Sequence, residues 1–266
     1  MASNKVSGES SRKAFLMELR QRIIRISIAV IAIISICMTM SITTFDFGDY
    51  KVLMLYPDMH HSISSQIISF MKDTLLPKNV SLIQISPGQA FYAQIHVALV
   101  TGLIIALPLV FAEVFAFISP ALKNHEKKVI RNILLPSIFL FLAGCFFSYY
   151  VVIPYTIEFL YKYGVSMTVT SFFDVSLFIS FVMHMLMIFG FSYQLPLIMW
   201  ALTKTKFVES RFWKNNFRYV MIILVIIGAI ITPDGSGVSM WFVTGPLIFL
   251  YVIGLLLIEL KFNKNG

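Results

Sequence analysis

The chain has 266 residues, 58% of them hydrophobic and 13% charged, with a mean hydropathy of +0.83. An ordinary soluble domain is about 45–50% apolar and about 25% charged, so this composition excludes a water-soluble globule. The net charge of +8 would suit a nucleic-acid partner, but the cations lie between apolar runs and read as a membrane-topology signal instead.

Residues 1–11 (MASNKVSGESS) are polar and predicted to be disordered. From Arg12 the pattern turns amphipathic, with Phe15, Leu16, Leu19, Ile23 and Ile26 on one helical face and Arg12, Glu18, Arg22 and Arg25 elsewhere. Residues 1–22 are therefore predicted to be an inner-face tail whose helix lies on the membrane surface. Six apolar runs follow, at Ile23–Thr44, Phe91–Ala116, Ile130–Tyr155, Val175–Leu202, Phe217–Ile231 and Val238–Leu260. Each crosses, or nearly crosses, a hydrocarbon core of about 30 Å. Helices satisfy their own backbone groups in lipid and open sheets do not. The predicted fold is thus an all-α integral membrane protein with six transmembrane helices over 23–260.

The connections differ in size. Residues 45–90 carry Asp46, Asp49, Asp58 and Asp73 and an amphipathic piece, Ile63–Leu76, before Pro77; one or two short helices forming an outer cap are predicted. Residues 117–131 form an inner loop, 155–176 a second outer loop, and 261–266 a short inner tail. The fifth run is only about 20 Å long from Tyr219 to Ile231, and the fourth about 45 Å from Asp174 to Lys204, at 1.5 Å per residue. The sixth is interrupted by Gly245-Pro246 and Gly254. Long tilted helices beside short fifth and sixth spans predict a bundle that is concave on one side.

Charge sets the expected orientation. Six Lys and Arg through Arg25, four in 116–131, five in 201–218 and two after Leu260 alternate with three in 45–90, one in 155–176 and none in 232–239. Seventeen against four places both termini on the cytoplasmic side, or its matrix or stromal equivalent.

The stretch FAFISPALKNHEKKVIR, residues 115–131, sets one carboxylate, Glu126, among Lys123, Lys127, Lys128 and Arg131. A fixed anion beside a bilayer suits a cationic peptide; taken alone, it equally suits an exposed pair with a neighbouring lysine, worth about 0–1 kcal/mol. Within the spans, Gln194 is a polar group of either functional or helix-contact type, and Pro196 frees a backbone carbonyl near it. His184 reads as a helix contact. Glu113, near the inner end of the second span, is expected to snorkel or to pair with a loop Lys or Arg. Pro108 and Pro154 read as helix kinks or ends, Asp234 as a turn residue, and Cys37 and Cys145 as buried small residues. His60 and His61 have no metal-ligand spacing. There is no phosphate loop, HExxH or GxSxG motif, and no cofactor is implied. A small-molecule transporter using His184, Gln194 and Glu113 at a midplane site is the alternative, weakened by the lack of an internal repeat.

Five motifs, in order, carry a family resemblance: LMELRQRI (16–23), FAFISPALKNHEKK, FSYYVVIPYTIEFL, FGFSYQLPL and ITPD. Over about residues 14 to 260 the chain resembles the TatC family, the polytopic core of the twin-arginine (Sec-independent) protein translocase. The resemblance implies a membrane subunit, not an enzyme, that recognises twin-arginine signal peptides and helps pass folded proteins across the membrane. It implies TatA-type and often TatB-type single-span partners, further copies of the chain itself, use of the proton-motive force, and a bacterial inner, mitochondrial inner or thylakoid membrane. Carried over by position, Glu126 matches the loop glutamate that contacts the arginine pair, and Arg20, Phe117 and Pro120 match other recognition positions. Pro108, Tyr149 and Asp234 match positions tied to function or assembly. Two positions depart from the pattern: Phe15 stands where His is common, and Gln194 where many members have Glu. Glutamine keeps a polar contact for a partner helix but cannot hold a charge.

Overall fold

Residues 9–39 contain neither proline nor glycine, and nothing there interrupts a helix. In the computed structural model they belong to one helix, α1 (Ala2–Thr39), so the expected surface helix and first span are continuous. The structure describes residues 2–47, 50–77, 80–121, 124–167, 172–232 and 237–262, with side chains except at 2–14, 45–47, 50–53, 121, 124–126, 128–130, 231, 239 and 262.

The outer cap holds one of the one or two short helices expected, and adds a hairpin that was not expected. The first run leaves helix at Met40 and forms a hairpin, β1 (Met40–Phe47) and β2 (Tyr50–Pro57), paired antiparallel with Phe47 opposite Tyr50. The β-branched and aromatic content of SITTFDF and YKVLMLY, separated by Gly48-Asp49, is the hairpin signal that outweighs apolar length. One cap helix does form, α2 (Ile63–Leu75), capped by the Ser62 hydroxyl on the Ser65 amide. It is tied to α1 and β1 by Ser64 Oγ donating to the Cys37 carbonyl (3.0 Å) and Gln66 Nε2 donating to Ser41 Oγ (2.9 Å). A short β3 (Ser81–Ile83) pairs in parallel with β4 (Phe172–Asp174), joining the cap to the second outer connection.

The spans are α3 (Gln89–Ile118), α4 (Asn124–Phe147) continued through a π-turn (Ser148–Val152) into α5 (Ile153–Ser166), α6 (Val175–Ser192) with α7 (Leu195–Lys204), α9 (Phe217–Ile231) and α10 (Gly237–Phe262). A short α8 (Ser210–Asn215) precedes α9. Five of the helical segments are long and apolar enough to cross a membrane, the first of them within α1, and α9 is the shorter sixth. At 15 residues α9 covers only about 22 Å, whereas α10 runs 26 residues, about 39 Å, straight through Pro246. Shortness therefore belongs to α9 alone. The third span also outruns its expected end at Tyr155: Pro154 sits just after the π-turn, whose wider i to i+5 bonding lets the helix continue past the proline.

The core sits where α3, α4 and α6 meet, around Val97, Leu107, Phe141, Ile179, Val182 and Phe189. Close approach is enforced at Gly144 of α4: a Cβ there would lie 2.6 Å from the Phe189 carbonyl oxygen. By contrast, α1 packs chiefly along α3 and leaves Ile23, Ile24, Ile28, Ile31 and Ile36 exposed to the surroundings. Gly102 lets the two helices touch, since a Cβ there would already be 3.1 Å from Ile34 Cγ1.

Candidate functional site

The α1–α3 seam ends in a charged cluster. Glu113, one turn before Phe117 on α3, is buried, and both its oxygens are taken by arginines of α1: Arg22 Nη1 at 2.6 Å and Arg25 Nη1 at 3.0 Å. Arg22 also donates from Nε and Nη2 to Glu18 Oε1, at 3.2 and 2.7 Å. Arg22 is thus held between two carboxylates, while Arg25 keeps a largely exposed side chain. A carboxylate buried beside lipid needs such compensation, and the forked guanidinium supplies it with directional bonds. The next contact along the seam is aromatic: Phe15, three residues before Glu18, packs on Phe117 with ring centroids 4.9 Å apart. Phe15, Glu18 and Arg22 are spaced three and four apart, so they share one face of α1.

This seam joins two of the sequence elements, LMELRQRI and FAFISPALKNHEKK, at one end of the bundle. Phe117 is half-buried in it. Pro120 is exposed in a 3-10 turn, Ser119–Ala121, directly after α3. Arg20 is exposed on α1, two residues from Glu18 and therefore turned away from the seam. Glu126 lies in the first turns of α4; its side chain falls outside the described residues, as does Asp234.

The comparisons with known proteins agree on one family. Residues 14–246 match the family model described as "Sec-independent protein translocase protein (TatC)". The chain belongs to the TatC family. It is 44% identical over 250 residues to the TatC protein of Cenarchaeum symbiosum, covering 94% of this chain and 95% of that one. It is 32% identical to the TatC protein of Aquifex aeolicus, covering 75% and 83%. The crystal structure of the "Twin Arginine Translocase Receptor- TatC" superposes with a TM-score of 0.76 at 29% identity, covering 92% of this chain and 98% of that one. Like other TatC family members, the chain is a membrane-embedded translocase component and not an enzyme.

The remaining predicted positions are scattered over this TatC fold. Gln194 is buried at the break between α6 and α7, two residues before Pro196, and its Nε2 donates to the Ser137 carbonyl of α4 at 2.9 Å. Its amide therefore joins two spans of its own chain. Pro108 is exposed within α3. Tyr149, in the π-turn, is buried with its ring stacked on Phe70 of α2, centroids 6.1 Å apart. His184 meets His96 edge-on at 5.3 Å, and Ser180 Oγ lies 3.3 Å from His96 Nδ1. His184 is ten residues, about 15 Å of helix, from Gln194, and Glu113 is held by α1. The three residues of the transporter alternative thus have separate partners, and the TatC membership leaves that alternative without support. Among the described residues no His, Cys, Asp or Glu cluster could hold a metal ion.

The charged cluster escaped sequence reasoning. The Glu18–Arg22 pair was available from its i, i+4 spacing. The partners of Glu113 are 88 and 91 residues away, so no local pattern connects them, and they come from α1 rather than from the loop.

Proposed function

We propose that this chain is the signal-reading core of a twin-arginine translocase, with Glu126 accepting the arginine pair of an incoming signal peptide. The observation that carries the reading is the Phe15–Phe117 contact, which brings the ELR element of α1 against the start of the inner loop. A carboxylate accepts a guanidinium fork through two parallel bonds that an ammonium cannot reproduce, and hydrogen bonds to charged groups are worth about 1.5–3 kcal/mol each. Arg20 and Pro120 are the exposed companions of Glu126 in this reading. Both termini face the compartment from which the peptide arrives, in keeping with the seventeen-to-four bias of cations. Single-span TatA-type and TatB-type subunits are the proposed partners, with Gln194 an intramembrane polar site that supports the partner-binding face through its bond to Ser137, and Pro108, Tyr149 and Asp234 serving structure or assembly.

The test is photo-crosslinking of a twin-arginine signal peptide to the inner loop in membranes. Glu126→Ala and Glu126→Lys are expected to abolish the adduct, and a lysine-pair peptide is expected to give little with the wild-type chain. Undiminished crosslinking in both variants would refute the assignment of Glu126.

A further inference from the structure

The recognition surface proposed above has an electrostatic problem. Its ligand is cationic, yet α1 contributes Arg20, Arg22 and Arg25, and the loop adds Lys123, Lys127, Lys128 and Arg131. Unscreened, these cations would repel an arginine pair within a Debye length, about 8 Å at physiological salt. The seam removes two of them. Arg22 is bonded to both Glu18 and Glu113, and Arg25 to the second oxygen of Glu113. Two guanidiniums and two carboxylates then sum to no net charge, one helical turn from Phe117. Among the described residues Glu113 is the one buried carboxylate, so its charge is fixed in place while exposed acids move with their side chains.

Resting on the receptor reading, we propose that Glu113 is the counter-ion of that site. It is a positioning residue that withholds Arg22 and Arg25 from the surface where an arginine-pair peptide docks. Arg25 is the side chain it controls most: with Glu113 neutral, Arg22 keeps Glu18, but Arg25 has no other carboxylate among the described residues. Its largely exposed guanidinium would then face the incoming peptide. A purely mechanical role, in which Glu113 only bolts α1 to α3, makes the opposite prediction for Arg25, because removing either partner would loosen the bolt equally.

The experiment measures binding of a fluorescent synthetic peptide, two consecutive arginines followed by an apolar stretch, to the full-length chain in detergent at low and high salt. Glu113→Gln is expected to weaken binding about tenfold at low salt, the size expected for one uncompensated charge near a doubly charged ligand. The loss should appear mainly in the association rate and shrink to about twofold at high salt. Adding Arg25→Gln to Glu113→Gln should restore affinity to within about threefold of wild type, since the repelling charge is gone. Glu113→Asp, which keeps the anion, should bind within about threefold of wild type even if Glu113→Gln does not accumulate. Wild-type affinity in Glu113→Gln overturns the counter-ion role. So does a double variant that binds as poorly as Glu113→Gln, which would leave the mechanical bolt. A wild-type chain that does not bind the peptide at all overturns the receptor reading, and the counter-ion role falls with it.

Discussion

Gly144 marks the tightest joint between α4 and α6, and α4 is the helix whose first turn carries Glu126. A methyl group added there would sit 2.6 Å from the Phe189 carbonyl oxygen and 2.9 Å from the Tyr193 ring. The ring can rotate slightly, but the carbonyl belongs to a helix backbone and cannot yield without moving α6. Overpacking of this kind costs about 1–3 kcal/mol. For a chain of about 150–250 residues each kcal/mol lowers the unfolding midpoint by about 2–4 °C, so Gly144→Ala should lose about 2–12 °C. The protein carries its own reporter, because Cys37 and Cys145 are free and buried. A thiol-reactive fluorogenic dye added during heating reads their exposure. Gly245→Ala is the matched control: a Cβ there meets nothing within 4 Å, and the change from Gly to Ala within a helix favours folding by about 1 kcal/mol. A Gly144→Ala midpoint equal to that of wild type, or a Gly245→Ala drop as large as that of Gly144→Ala, would refute the close-packed joint.

Gln194→Leu removes the bond to the Ser137 carbonyl, worth about 0.6 kcal/mol on average within a membrane. It should lower the same midpoint slightly and reduce copurification of a TatA-type subunit, while Gln194→Glu keeps a polar contact and retains the partner. Partner recovery with Leu at the wild-type level would show that partner binding does not depend on Gln194. In the outer cap, Asp58 accepts the His61 and His60 amides at 3.2 and 2.8 Å and pairs with His61 Nδ1 at 3.1 Å. The His61 amide above all, then the His60 amide and the His61 ring, hold its carboxyl below the usual range. With the folded pKa below the unfolded one, its contribution is full above about pH 4 and is lost as pH falls through the lowered folded value. Thermal unfolding of Asp58→Asn should therefore depend less on pH in that acidic window than wild type, and equal slopes would show that the turn does not hold a charged Asp58.

Much of the candidate site was legible because it is local. The ELR element is helical as its pattern predicts, but the expected 117–131 loop is largely helical where described, with a 3-10 turn at Ser119–Ala121 and α4 starting at Asn124, and the fourth run divides at Gln194. The hairpin was legible in principle, since β-branched residues flank Gly48-Asp49, but a span-length apolar run hid it: hydropathy reports burial and not backbone state. Gln194 illustrates the limit in the other direction. Its residue type marked it as a polar group needing a partner, yet only helix packing selects the Ser137 carbonyl, 57 residues away.

Composition and order along the chain determined that this protein is helical, membrane-embedded, six-spanned and of TatC type, because burial of apolar length and self-satisfied backbone bonds depend on local sequence alone. Tertiary structure decided that α1 is one continuous helix leaning on α3, and that Glu113 is spent on Arg22 and Arg25. Those outcomes depend on α1 approaching α3 at Gly102, a choice made by shape complementarity between segments far apart in the chain.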